Sequence, residues 1–293
     1  MKEQSGYLSR QKNFIIIIFI LIPLPGRIFG QDFPFSAGAR AWGMANATVA
    51  SSDFSSVFNN IAGLGGIREG VMVSTYDSHY GFEGINTIGF GGVLPVSNDL
   101  GAGFTVQRFG DRLYNQFAFG MGAGHRVGRF SLGGKVSYLQ NAVNAPSLTV
   151  SRHAFVVEFG GMAQFSSKFT FGAHVFNLTQ SSYSGDYGNR LPTVLRGGLV
   201  YKPQKNLAFN AEVDKNTDLP VSVKGGLEYQ VLKKMFVRTG LASRPFTNHF
   251  GTGFKGGKFS VDYAVHSHAQ LGWSHHFSLG YCFWERKKDE LEL

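Results

Sequence analysis

The chain is poor in the features that most often announce a function. Cys282 is its only cysteine among 293 residues, which excludes an intrachain disulfide framework and reads as a small strand residue. No apolar run reaches the roughly twenty residues a helix needs to cross a hydrocarbon core of ~30 Å. The longest, FIIIIFILIPLP at 14–25, has about a dozen. No Pro- or Ser-rich linker divides the chain. Signatures of catalysis are missing too. GMGAGHRVG at 120–128 has dinucleotide-like glycines, but it lies in an alternating stretch and opens no helix. GGKVS and GGKFS lack the first Gly and the Ser/Thr of a phosphate loop. Nothing orders Ser, His and Asp into a triad. The sequence therefore points away from an enzyme and names no cofactor.

What is present begins with the N-terminus. Lys2, Arg10 and Lys12 precede the apolar run, and GRIFG follows it. A basic region, a short apolar core and a small-residue exit read as a secretory signal peptide over residues 1–30, cleaved after Gly30. No Cys follows the apolar run, which argues against a lipoprotein. The formal charge of +9 includes Lys2, Arg10, Lys12 and Arg27 against Glu3, which leaves +6 on the residues after Gly30. A basic chain raises nucleic acid as a partner, but export removes it. Acidic lipid head groups and lipopolysaccharide phosphates are the expected counterparts.

From Gly70 onward apolar and small or polar residues alternate with period two, as in strands with two different faces. KFTFGAHV sets Phe169, Phe171, Ala173 and Val175 against Thr170, Gly172 and His174. WSHHFSLGYCF at 273–283 sets Trp273, His275, Phe277, Leu279, Tyr281 and Phe283 against Ser274, His276, Ser278, Gly280 and Cys282. A soluble sandwich would carry Thr, Lys and Glu on its second face; here Gly and Ser dominate it. Strands of about ten residues, 39 Gly, 28 Phe and an export signal fit an all-β, transmembrane antiparallel barrel in the outer membrane of a Gram-negative bacterium.

The strands are expected near 70–77, 84–94, 98–109, 114–126, 129–140, 153–165, 168–177, 191–202, 206–214, 220–232, 235–243, 248–255, 258–267 and 273–283. That makes about fourteen, an even number, so both termini are expected in the periplasm. Short connections (PVS, VG, SS, PQK, KK, GG) alternate with longer ones such as QNAVNAPSLTVSRH, SRPFTN and SHAQLG. The expected organisation is a signal peptide at 1–30, an N-terminal hatch or plug at 31–69, the barrel at 70–283 and a charged periplasmic tail at 284–293.

Residues 31–69 do not alternate; one short helix is expected around 52–59, with Ser51, Ser52 or Asp53 as its N-cap. GARAWGMANATVASSDFSSVFNNIAGLG resembles the N-terminal signature of FadL-like outer-membrane barrels, and in particular the PorV/PorQ branch associated with type IX secretion. Gly38, Ala39, Arg40, Gly43, Met44, Ala47, Val49, Ala50, Asn59 or Asn60, Ala62, Gly63 and Leu64 fit that pattern, while Ile61 replaces its Pro. LPTVLRGGLVY, GGLEY and VDYAV resemble it in the C-terminal half. The resemblance implies a fourteen-stranded barrel whose N-terminal segment is a hatch. Arg40 inside it is expected to pair with a lumen carboxylate, because a buried unpaired guanidinium would be costly and the lumen supplies acids. The resemblance also implies one of two roles. The first is a secretion accessory that holds secretion-system proteins or secreted cargo, slightly favoured by the short external loops. The alternative is a channel for hydrophobic small molecules.

The alternation also sorts the charges. Lys135, Arg196, Lys224 and Arg238 face the lumen with Glu158, Glu212, Asp214, Glu228 and Asp262, a near balance that suits a lumen accepting a hatch rather than an ion-selective pore. His266, His268 and His276 share the lumen face with Asp262; His266 is expected opposite His276, and the set is a weak candidate for zinc. The short turns and their flanks carry Arg126, Arg129, Lys168, Lys202, Lys205, Lys233, Lys234, Lys255 and Lys258, read as a collar free of acids. Asp77, Glu83, Asp111, Asp186, Asp214 and Asp218 are assigned to the external loops. Lys233, Lys234, Lys255 and Lys258 are the candidate dock for an acidic periplasmic partner.

Overall fold

The computed structural model describes residues 36–185 and 190–286. The expected signal peptide, Asp186 and most of the expected charged tail lie outside them. Fourteen antiparallel strands form a closed barrel: β1 (Glu69–Ser78), β2 (Asn86–Pro95), β3 (Leu100–Gly110), β4 (Tyr114–Val127), β5 (Phe130–Ala145), β6 (Leu148–Gln164), β7 (Phe169–Phe176), β8 (Val194–Gln204), β9 (Leu207–Asn216), β10 (Ser222–Leu232), β11 (Met235–Ser243), β12 (Phe246–Gly256), β13 (Phe259–His268) and β14 (Gly272–Glu285). Each strand pairs with its sequence neighbours, and β14 closes on β1 with Val73 opposite Gly280 and Tyr76 opposite Phe277. Closure satisfies every strand edge, the condition for crossing lipid as a sheet.

The two faces follow the alternation. Trp273, Phe277, Leu279, Tyr281 and Phe283 stand exposed on the outside of β14, while Ser274, His276 and Ser278 are buried within. Phe169 and Phe171 point out of β7, with His174 buried opposite them. The outer wall is thus an apolar belt that suits lipid.

Connection lengths differ from expectation at one end. QNAVNAPSLTVSRH is strand rather than loop: β5 and β6 continue until Ala145 pairs with Leu148, leaving only Pro146 and Ser147 as the turn. SRPFTN shrinks to Arg244 and Pro245, because β11 and β12 pair out to Ser243 and Phe246. The ladders run past the apolar belt because backbone pairing continues where neither face need be apolar. Only 79–85 and 177–193 remain as long connections at that end.

Between Ser36 and Arg68 the chain is not strand. It forms α1 (Ala39–Trp42) and two 3₁₀ turns, Phe54–Val57 and Ile61–Gly66. The expected helix around 52–59 is the first of those turns. Asp53 is its N-cap and receives the Ser55 amide, while the Ser56 hydroxyl accepts from the Asp53 amide. These turns, with Ala37, Phe58, Val73 and Val93, form a buried apolar core between the segment and the inner faces of β1 and β2.

Candidate functional site

The site is the barrel interior, and residues 36–68 make one side of it. The Ile61–Gly66 turn packs against β3, β4, β5 and β6. Asn60 organises this contact. It is fully buried, its side chain accepts from the Ala62 amide, and its Nδ2 donates to Val49 O at 2.6 Å. The same group reaches toward the carbonyls of Ala173 and Gly161 at 3.3 and 3.5 Å. Asn60 thus caps the turn, and Ile61, which stands where the resembled signature has Pro, starts the 3₁₀ turn as a buried side chain. Asn59 donates within the segment, to Ser55 O at 3.1 Å. Gly63 O accepts from the Ser52 hydroxyl, and Ala62 and Leu64 are buried. Such close approach needs an inner wall without side chains. A Cβ on Gly160 would run into Asn60 Oδ1, and one on Gly226 would stand 2.7 Å from Met44 Cβ.

The lumen charges fall into linked groups that alternate around the wall. Glu158 meets Lys135 at 3.4 Å, His174 at 3.2 Å and the Ser137 hydroxyl at 3.0 Å. Lys224 lies 2.8 Å from Asp214 and 3.6 Å from Glu212, and Arg196 is 3.5 Å from Asp214. Arg238 joins Glu228 at 2.6 Å to Asp262 at 2.7 Å. Two of these acids also hold the N-terminal segment. Glu212 accepts the amides of Thr48 and Val49, both at 2.9 Å. Glu228 takes Arg40 through two bonds of 2.8 Å, the paired geometry that suits a guanidinium, and Arg40 also pairs with Asp53.

Toward the end with the long connections, α1 meets β12, β13 and β14 through an imidazole stack. The Trp42 indole lies over His276 with centroids 4.1 Å apart and over His266 at 4.9 Å, both nearly parallel to it. His249 stacks behind His266 at 5.0 Å, and His79 meets Trp42 edge-on at 6.2 Å. Hydrogen bonds thread the stack. Asp77 Oδ1 is 2.7 Å from His276 Nδ1, His276 Nε2 is 2.8 Å from His266 Nδ1, and His249 Nδ1 is 2.8 Å from Trp42 O. All these side chains are buried. In the β1–β2 connection, burial pushes His79 down to about 4, against the opposing pull of Asp77.

Several sequence expectations are corrected here. Asp77 is not a loop residue. β1 stays paired through Ser78, which turns Asp77 inward. His266 faces Ser274 and His276 faces Ala264, since a turn of three residues, 269–271, sets the register. The two rings still meet, diagonally. His268 does not join them, because its Nδ1 accepts the turn amides of Gln270 and Leu271. Among the described residues no cluster of three His, Cys, Asp or Glu is disposed to hold a metal. The collar is not free of acids. Asp99 pairs with Arg126 at 2.7 Å and Glu69 with Lys255 at 3.2 Å. Lys233 and Lys234 form the adjacent turn, bound through Lys234 O to the Lys255 amide, and Lys258 sits in the next turn.

Trp42, His79 and His249 were not singled out by sequence, and Asp77 was read only as a loop acid. His249 has the inward parity of Thr247 and Gly251, and Trp42 is the lone Trp of the N-terminal segment. Those were the available signals. The inner wall has one more feature. Ala118, Leu139, Ala154, Val156, Phe176 and Val194, on β4 to β8, form a buried apolar patch with Leu191 from the 177–193 connection. Phe109 packs against that patch and approaches His79 at 6.0 Å, so patch and stack adjoin.

No family model matches the chain, and no curated protein sequence matches it. Solved structures do. A Pseudomonas aeruginosa FadL homologue superposes with a TM-score of 0.60 at 14% identity, covering 85% of this chain and 98% of the homologue. The Ralstonia pickettii toluene transporter TbuX gives 0.63 at 12% identity, covering 85% and 99%. The Pseudomonas putida toluene transporter TodX gives 0.62 at 11% identity, covering 86% and 98%. At such identities the likeness is one of fold. The chain shares the FadL-like barrel fold of these three structures.

Proposed function

We propose that the protein is an outer-membrane channel for small hydrophobic molecules, closed by residues 31–69 as an internal hatch. The observation that carries this reading is the apolar patch of Leu139, Val156, Phe176 and Val194 on the inner wall of β5 to β8, away from the apolar contacts that hold the N-terminal segment. A pore for ions or sugars gains nothing from such a surface, whereas an apolar solute leaving water gains about 25 cal/mol per Å² of area it buries. The fold shared with two toluene transporters supports the same reading. In this reading the short-turn end and both termini face the periplasm. Lys233, Lys234 and Lys258 then reach anionic lipid head groups or an acidic partner.

The secretion-accessory role of the PorV/PorQ branch is the second reading. It rests on the resemblance over residues 38–64 and in the C-terminal half, and the fold shared with the two toluene transporters and the FadL homologue gives it no support. The order suggested by the sequence is therefore reversed. Uptake of a labelled alkylbenzene and of a labelled fatty acid by a deletion strain, with and without the gene restored, tests the proposal. Restoration should recover uptake of at least one. Equal uptake in both strains, with loss of secreted cargo in the deletion, would replace the channel by the accessory. Deleting residues 31–69 should raise single-channel conductance in planar bilayers; unchanged conductance removes the hatch.

A further inference from the structure

The imidazole stack has a limited capacity for protons, and this follows from its hydrogen bonds. The Trp42 carbonyl can only accept, so His249 Nδ1 carries a proton and Nε2 is left to accept from the Thr247 hydroxyl at 2.8 Å. With Asp77 as a carboxylate, His276 Nδ1 donates to it, and His276 Nε2 accepts from His266 Nδ1. One added proton fits this chain. On His276 it gives a cation donating to Asp77 on one side and to His266 on the other, under the face of Trp42. A second does not fit. It makes both His266 and His276 imidazolium, so two N–H groups point at each other across 2.8 Å. Among the described residues the anion at hand is Asp77, and it is already engaged.

The surroundings offer no relief. His79 and Tyr80 face the stack from the β1–β2 connection, His249 from β12, His268 from β13 and His275 from the outer face of β14. Lys224 adds positive charge from β10. Asp77 is the single carboxylate among these groups. Each further proton therefore places like charges within about 5 Å in a dry site, where repulsion is strong.

We propose that this stack is a proton-operated latch: acid on the long-connection side splits His266 from His276, frees Trp42, and releases the α1 end of the N-terminal segment. The release of α1 stands on the stack alone; its consequence for permeation rests on the hatch reading above. The sign is fixed by the bonds. The closed form holds at most one added proton, so it is favoured above the ordinary imidazole range near 6.5 and lost as further protons bind below it.

The test uses the full chain in lipid with Trp273→Phe and Trp284→Phe, which leaves Trp42 as the only indole. Both replaced residues lie on the outer surface. Between about pH 7.5 and pH 4, Trp42 emission should pass through one reversible transition. Adding His249→Gln and His266→Asn, which keep polar side chains but cannot titrate, should abolish it. Heat-modifiable gel migration confirms that each barrel is assembled. In planar bilayers the same acid step should raise open probability about tenfold or more in the chain with the histidines, the effect of one unit of differential protonation. An emission transition of unchanged size in the histidine variant, or none in either protein, overturns the latch. An emission transition without a conductance change leaves the latch standing and sinks the hatch instead.

Discussion

The N-terminal segment meets the barrel wall in two unlike ways. Its later half, the Ile61–Gly66 turn, lies on glycines of β3 to β6, fixed by Asn60 and by an apolar core with Val57, Phe58 and Leu64. Its earlier half, α1, meets β10 to β14 through a guanidinium between carboxylates and an indole on imidazoles. The first contact is close packing of uncharged groups and does not depend on pH. The second is built from groups whose charge state decides whether they attract. If the segment is the hatch proposed above, it has reason to be held in both ways. One contact can then be undone while the other persists.

The comparison breaks most severely at the glycine face. Gly160→Val would drive its side chain into Asn60 Oδ1, and Asn60 cannot turn away without giving up Val49 O. Overpacking of a tight site costs up to about 3 kcal/mol, and here it strikes the contact that is insensitive to pH. Conductance should rise at neutral and acid pH alike, and residues 36–68 should become open to added protease. If Gly160→Val conducts as the native barrel does, the glycine face is not what holds the segment.

Arg40→Ala attacks the other half and should do less. Glu228 would lose a two-bond partner but keep Arg238 at 2.6 Å, so its charge is not left alone. Arg40 also retains some exposure, which puts the cost near about 2 kcal/mol rather than the ~3–5 kcal/mol of a fully stranded buried charge. Arg40→Lys should recover only part of this, since an ammonium cannot reproduce the paired geometry. Thermal unfolding in lipid nanodiscs would rank the three proteins. Equal stability of native and Ala forms would remove Arg40 from the set of anchors.

Acid should divide the two halves without any mutation. His79 is buried neutral, with its value down to about 4, so the unfolded chain binds the proton first as pH falls from about 6.5 to 4. The closed arrangement loses stability in that window and regains it as pH rises. Hydrogen exchange at pH 4.5, corrected for intrinsic rates, should show the Gly43 and Met44 amides, which donate to α1 carbonyls, losing protection while Ala62 and Gly63 keep theirs. Uniform loss over both halves would mean that the segment moves as one body.

Much of this was legible in the sequence, and the reason is geometric. A closed barrel in lipid forces every strand to show one apolar and one small or polar face, so period-two alternation exposes each strand and the inward parity of Lys135, Glu158, Glu212, Glu228, Arg238 and Asp262. Where the constraint lapses, so does the signal. Asn141–Arg152 pairing lies beyond the apolar belt, both faces meet water, and the stretch reads as a loop although it is a hairpin. The imidazole stack was hidden for another reason. Its members come from α1, β1, β12, β13 and β14, and a change of two residues in one turn would separate them while leaving every parity intact. Parity is carried by composition; register is carried by turn lengths.

The smallest expected effect concerns the basic rim at the short-turn end, where the four candidate lysines are not equivalent. Lys255 lies 3.2 Å from Glu69 with both side chains well exposed, an arrangement worth about 0–1 kcal/mol. Its charge is thus already matched, and reversing it should change little. Lys233, Lys234 and Lys258 are exposed in the turns, and each is worth about 1 kcal/mol beside an anionic surface, falling away within a Debye length. The native barrel should therefore melt higher in nanodiscs containing phosphatidylglycerol than in zwitterionic ones. Lys233→Glu with Lys234→Glu and Lys258→Glu should erase that difference at low salt, and 1 M salt should erase it for both proteins. A triple variant that keeps the full gain would dismiss the rim as a lipid anchor. If that variant instead loses a co-purifying acidic protein at low salt while still assembling, the rim is a dock, and the short-turn end of the barrel is where its partner sits.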